Sequence, residues 1–409
     1  MIKTNNRYIH TQIPHPETKR LLKDLEKVEA RSMHGQLPII WDKALGHNVW
    51  DKWGNKFIDF SSGICVTNAG HGNPDICNAL RKKINKPLLH SYTFPTEIRL
   101  QYLQELTKFT GFDKAFLLSA GTEATECACK LMFMHYKQKT GKNGGRIVSL
   151  LDSMHGRTFL AENLKGYRKE NEWATMPPLE RVQHLKENFA FNKEFDKPSE
   201  IAGFIIESYR GWDAHFYPKV FIQRLIEYAK KHNIPVCFDE IQSGFWRTGR
   251  LFAYEHYDIP QPDLVCVGKG LSSSVPLSAV LGRGTLLDLP PIGSMSSTHS
   301  ANPLGCTAGL ANIVALKRIF PSLEKKSQLF FRFLTDNFLP TCIQGKGLVA
   351  ALLKPSSAAA DLVCYKAMKQ GVILIKTGKN SVKIAPTLTI TKEALIEGLE
   401  VIKKANENT

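Results

Sequence analysis

Short apolar runs at residues 115–118, 147–151, 204–206, 236–238, 264–267 and 277–281 alternate with stretches of helical periodicity, and this alternation constrains the fold more than any other feature. Runs of that length are too short for globular helices and read as buried strands. Between them, Ala124, Cys127, Ala128 and Leu131 fall at i, i+3, i+4 and i+7, as do Ile222, Leu225, Ile226 and Ala229. Each set marks one face of an amphipathic helix. Strands alternating with helices predict an α/β fold, in which helices cover a mostly parallel sheet. Beyond about residue 310 the order changes to a helix at 322–339, a strand at 348–353, a helix at 359–370, short strands around 372–375 and 382–384, and a final helix from Thr391. That order predicts a smaller α+β domain. The first fifty residues add a helix at 17–30 and a strand-like start that the sheet does not need. The expected division is therefore 1–55 packing with the small domain, 56–310 as the large domain and 311–409 as the small one, with a ligand site between lobes.

Composition narrows the function classes. The hydrophobic content of 43% and charged content of 22% are those of an ordinary globular protein. The polar N-terminus lacks an apolar signal core, and no apolar run reaches membrane-spanning length, so a cytoplasmic protein without membrane contact is expected. Nine scattered cysteines without a CxxC pair suggest neither a disulfide framework nor a metal knuckle. The net charge of +16 is spread along the chain rather than gathered into a stripe. It reads as a solvated basic surface that favours anionic small molecules, not nucleic acid.

Three positions carry candidate chemistry. The apolar run at 115–118 leads through Ser119 and Ala120 into Gly121, Thr122 and a helix, where free N–H groups and a hydroxyl suit a phosphate. Such a start also serves as an ordinary cap. Asp239 ends the run 236–238, at the edge where open α/β sheets bind ligands, or else it caps the next helix. Lys269 stands between two glycines just past the run 264–267, placed for covalent bonding to a carbonyl, although a lysine near a strand end usually snorkels into solvent. Phosphate turn, strand-end acid and strand-end lysine occur in this order.

With these residues in place, the chain resembles the class III aminotransferases of the fold type I pyridoxal-phosphate enzymes over nearly its whole length. The stretch Phe238-Asp-Glu-Ile-Gln-Ser-Gly-Phe-Trp-Arg-Thr-Gly-Arg-Leu-Phe-Ala-Tyr-Glu-His-Tyr257 is similar to the family signature, and Lys269-Gly-Leu follows at the right distance. Asp59-Phe-Ser-Ser-Gly63, Gly70-His-Gly-Asn-Pro74, His155-Gly-Arg-Thr158, Thr298-His-Ser-Ala-Asn-Pro303 and Gly345-Lys-Gly-Leu348 support it. The resemblance implies that Gly121 and Thr122 hold the phosphate of pyridoxal 5'-phosphate. It places Asp239 at the ring nitrogen, Gln242 near the ring hydroxyl, and Glu207 and His155 beside the cofactor, with Lys269 as the Schiff-base lysine. Thr298 should reach the phosphate of a neighbouring subunit in a homodimer with shared active sites.

The chain also departs from the family pattern. Met154 stands where relatives stack an aromatic ring, and a thioether can pack there. Trp212 replaces a second acid, Arg210 a glutamine, and Lys383 the arginine that grips substrate carboxylates. The implied activity is ping-pong transfer of an amino group from an amine or amino acid to an oxo acid or aldehyde, with Lys383, Trp212 and Arg210 toward the substrate. Aminomutase, decarboxylating, phospho-lyase and racemase outcomes on the same cofactor are the alternatives, followed by a non-catalytic scaffold.

Overall fold

The computed structural model describes residues 1–166, 181–188 and 197–407, in two compact units. Residues 74–318 form the larger unit, around a seven-stranded sheet. Its strand order is Lys114–Leu118, Ser278–Gly282, Leu264–Val267, Val236–Asp239, Ile201–Glu207, Arg146–Leu150 and Val182–Leu185. Ser278–Gly282 runs antiparallel to both its neighbours, and the other pairings are parallel. The expected α/β class with a mostly parallel sheet is therefore present. The edge strand Val182–Leu185 is the one the apolar pattern missed: its sequence, Val-Gln-His-Leu, sets two polar residues between two apolar ones and leaves no continuous run.

Helix Gly121–Thr140 crosses this sheet, burying Ala124, Cys127, Ala128 and Leu131 against Ile205, Cys237, Leu264, Cys266 and Val280. These helical positions are the ones the i, i+3, i+4, i+7 spacing selects. Covering Leu131, which is 1% exposed, contributes roughly 2 kcal/mol by removal of its side chain from water. Gly141, in the left-handed conformation at φ 71°, ends the helix, its N–H donating to Lys137 O. The second expected helix spans Lys219–Lys231 and buries Ile222, Leu225 and Ala229.

The other unit combines residues 1–73 with 319–409. Strand Lys56–Asp59 pairs with Val372–Ile373, so residues 56–73 group with the chain termini rather than with the larger sheet. A second sheet orders the strands Ile343–Lys346, Val349–Leu353, Ser381–Ile384 and Ile375–Thr377. Helices Leu323–Asn337, Ser357–Lys369 and Lys392–Asn406 complete the unit. The last begins where Thr391 accepts from Ala394 N–H, an N-cap of the usual kind.

Candidate active site

Three adjacent strands of the larger unit bring the candidate residues to one edge of the sheet. Asp239 is in register with Glu207 on one side and Cys266 on the other, and Lys269 follows Cys266 by three residues. Neighbouring parallel strands lie about 4.8 Å apart, so strand pairing alone sets these side chains close together. Lys269 has φ 42°, in the left-handed region that few non-glycine residues occupy. Its turn is held from below: Asn312 Nδ2 donates to the carbonyls of Gly270 and Leu271 at 2.8 and 2.9 Å. Backbone strain fixed by buried hydrogen bonds is a feature of functional positions.

Asp239 is 5% exposed, and each oxygen has a donor. Oδ1 accepts from Ile241 N–H at 3.0 Å, and Oδ2 lies 2.8 Å from His155 Nδ1. Carboxylate oxygens carry further lone pairs, so the acid can still face a protonated nitrogen. His155 is itself buried, and its Nε2 has no hydrogen-bond partner. Such an orphan marks a place where the protein alone leaves polarity unmatched.

Glu207 is fixed on both oxygens, accepting from Met154 N–H at 2.8 Å and from Gly211 N–H at 3.0 Å. Burial, and secondarily the nearby Asp239, push its carboxyl up to about 8, while the two N–H donors and Lys269 pull the other way. Gln242 Oε1 accepts from the Tyr209 hydroxyl at 3.0 Å. The loop beyond Asp239 is tied down by Glu240, a fully buried carboxylate that accepts from Ser208 Oγ, Ser243 Oγ, Ala253 N–H and Tyr254 N–H at 2.5 to 2.9 Å. Burial raises this group to about 7 against those four donors.

The phosphate turn is built from strand Lys114–Leu118 into helix Gly121–Thr140. Glu123 folds back to accept from the N–H groups of Ser119 and Ala120 at 2.9 and 2.8 Å, and its own N–H returns to the Ala120 carbonyl at 3.0 Å, so the helix start offers the N–H groups of Gly121 and Thr122, which no intrahelical carbonyl accepts. Gly121 lies so close to Ile241 that a Cβ there would meet its side chain at 3.0 Å. Gly156, at φ 138°, presses on the same turn, and a Cβ on it would fall 2.6 Å from Thr122 Cβ.

The substrate candidates are less uniform. Arg210, expected as an anion contact, is engaged by Asp213 through two parallel hydrogen bonds of 3.0 and 2.6 Å, which hold its guanidinium charged. The Lys165 ammonium lies 5.5 Å from the centre of the Trp212 ring and 3.1 Å from Glu162 Oε1, a buried ion pair that sequence reasoning missed. Lys383 belongs to the other unit, in strand Ser381–Ile384, and is 3% exposed, not solvated. Thr298 sits in an exposed turn of the larger unit.

An open α/β sheet whose strand ends present a lysine, a buried acid and a phosphate-ready helix start defines an enzyme built around a phosphorylated carbonyl cofactor. The donor set fits such a group: N–H groups for the phosphate, a carboxylate for a ring nitrogen, an amine for the carbonyl. The family model described as "Aminotransferase class-III" matches residues 30–405. The acetylornithine/succinyldiaminopimelate aminotransferase of Buchnera aphidicola subsp. Schizaphis graminum is 31% identical over 88% of this chain and 90% of its own. The acetylornithine aminotransferase of Methanocaldococcus jannaschii is 30% identical over 93% and 97%. Among solved structures, the ornithine aminotransferase of Toxoplasma gondii superposes with a TM-score of 0.87 at 24% identity, covering 95% of this chain and 94% of that one, a likeness of fold. The acetylornithine aminotransferase of Elizabethkingia anophelis gives 0.82 at 28% identity, covering 96% and 99%. The chain belongs to the class III aminotransferases, enzymes that transfer amino groups with pyridoxal phosphate as cofactor. These relatives favour transamination over the mutase, decarboxylase, phospho-lyase, racemase and scaffold readings.

Proposed function

We propose that Lys269, Asp239 and the Gly121–Thr122 turn form the cofactor site and that Lys269 moves the proton in each half of a ping-pong transamination. The observation that carries this reading is the register of three neighbouring strands, which gathers Glu207, Asp239 and Lys269 at one sheet edge. When bound, pyridoxal phosphate supplies a carbonyl carbon that takes up an amino group and a pyridine ring that draws electrons from the substrate carbon. Asp239 keeps a proton on the ring nitrogen, and His155 orients Asp239 through its Nδ1. With the cofactor in place, Lys269 would hold its carbonyl carbon through Nζ and, as a free amine, would take up and give back at Nζ the proton of the donor's Cα. Gly121 and Thr122 receive the phosphate through N–H groups and a hydroxyl. Glu207 orders Met154 and Gly211 through their N–H groups, so that Met154 would flank the ring and Gln242 would stand by its hydroxyl.

The donor is a small amine or amino acid, the acceptor an oxo acid or aldehyde. Relatives named for acetylornithine, ornithine and 4-aminobutyrate support a substrate that bears a carboxylate away from the reacting amine. Trp212 supplies a flat wall, and Lys383 replaces the family's arginine as the cation toward that carboxylate. We further propose a cytoplasmic homodimer whose Thr298 serves the partner's phosphate, without nucleic-acid or membrane contact. No described helix is long and apolar enough to cross a membrane. The direct test is turnover: Lys269→Ala should abolish transamination, and repeated turnover by that variant refutes the assignment.

A further inference from the structure

The hydrogen bonds around Thr122 fix where its hydroxyl proton points. Thr158 Oγ1 lies 2.5 Å from Glu126 Oε1, and the same carboxylate oxygen accepts from Leu160 N–H at 3.2 Å. An ionised carboxylate only accepts, so the single hydroxyl proton of Thr158 is committed to Glu126. Thr158 Oγ1 is also 2.7 Å from Thr122 Oγ1. With its own proton committed, Thr158 can only accept in that contact, and Thr122 must donate. Thr122 Oγ1 in turn accepts from Thr158 N–H at 3.3 Å. Gly156 keeps the hydroxyl in this place, since any side chain there would collide with Thr122. The relay runs Thr122 to Thr158 to Glu126, and it draws the proton away from an anion at the start of the helix.

We propose that Glu126 is a positioning residue for the cofactor phosphate: through Thr158 it orients the Thr122 hydroxyl and so weakens the hydrogen bond that this hydroxyl gives the phosphate. The proposal rests on the reading that Thr122 faces the phosphate. Glu126→Ala removes the acceptor that holds the Thr158 proton. Thr158 can then donate to Thr122, and the Thr122 proton is released to the phosphate. Glu126 thus keeps cofactor retention below what the turn can reach.

Equilibrium dialysis of the holoenzyme, with bound cofactor read by its visible absorbance, tests this in four proteins: wild type, Glu126→Ala, Thr122→Val and the double variant. Glu126→Ala should bind the cofactor about three to ten times more tightly, the range expected for one partly solvated bond to a charged group, with the shape of the absorbance band unchanged. On the Thr122→Val background the same change should have no effect, because the hydroxyl it redirects is gone. Thr122→Ser keeps a hydroxyl and should keep the response. Unchanged or weaker binding by Glu126→Ala overturns the proposal. So does equal tightening on both backgrounds, which would mean that Glu126 acts by its charge alone, or a lost response in Thr122→Ser. A phosphorus NMR resonance of the bound cofactor that Thr122→Val leaves unmoved on the Glu126→Ala background refutes instead the underlying placement of Thr122 at the phosphate.

Discussion

Asp239 joins His155 across 84 residues of sequence, and no spacing rule in the chain points to that contact. The sequence made Asp239 a candidate through its place at a strand end, and His155 through a family motif, but only the sheet register brings them together. Replacing Asp239 with Ala should cut turnover by a hundredfold or more, roughly 3 kcal/mol of transition-state stabilisation, because a neutral ring draws electrons poorly. Near-normal turnover would reduce the acid to a helix cap. Glu207 gives a pH signature. Its folded carboxyl stands at about 8 against an ordinary 4.5, so between these values the folded protein holds a proton that the unfolded chain has lost. Stability therefore falls as pH rises through that window and levels off above it. The melting temperature of cofactor-stripped wild type should drop more from pH 5 to pH 8 than that of Glu207→Gln, and parallel curves would contradict the assignment. Arg210 was read as a spare cation although Asp213 stands three residues on, a pairing the sequence displays and that a count of isolated charges overlooks. Lys383→Gln tests the proposed substrate cation: KM for a carboxylate-bearing substrate should rise at least tenfold more than KM for an uncharged amine. Equal effects would move carboxylate recognition elsewhere.

At the scale of elements, continuous apolar runs gave away the central strands, because strands covered on both faces must be apolar throughout. The edge strand Val182–Leu185, half exposed, carries no such run and was illegible. The 240–257 loop shows a second limit. Its residues were recognisable as a signature, but nothing in their spacing shows that Glu240 accepts four hydrogen bonds and so holds the loop beside Asp239. Removing that carboxylate strands several buried donors, so Glu240→Ala should destabilise the protein by about 2–4 kcal/mol in chemical denaturation. Glu240→Gln, which keeps an acceptor, should lose less. If the Ala variant is as stable as wild type, the loop is held by its aromatic packing instead.

For the whole molecule, the larger unit exposes Leu88, Leu89, Tyr92, Phe94 and Ile292, with Phe94 at 74%. Solvated aromatic and aliphatic side chains in such number suit a covered surface, as the proposed homodimer supplies. Sedimentation should accordingly give twice the 45.9 kDa chain mass, and a monomer that binds cofactor normally would remove the role proposed for Thr298. The account as a whole turns on one amine being the point where cofactor and chain are joined. Borohydride reduction of the holoenzyme, followed by proteolysis and peptide mass analysis, locates that amine without reference to substrate. The expected result is a stoichiometric phosphopyridoxyl adduct on the peptide that contains Lys269; an adduct on any other lysine, or none with the cofactor bound, contradicts it.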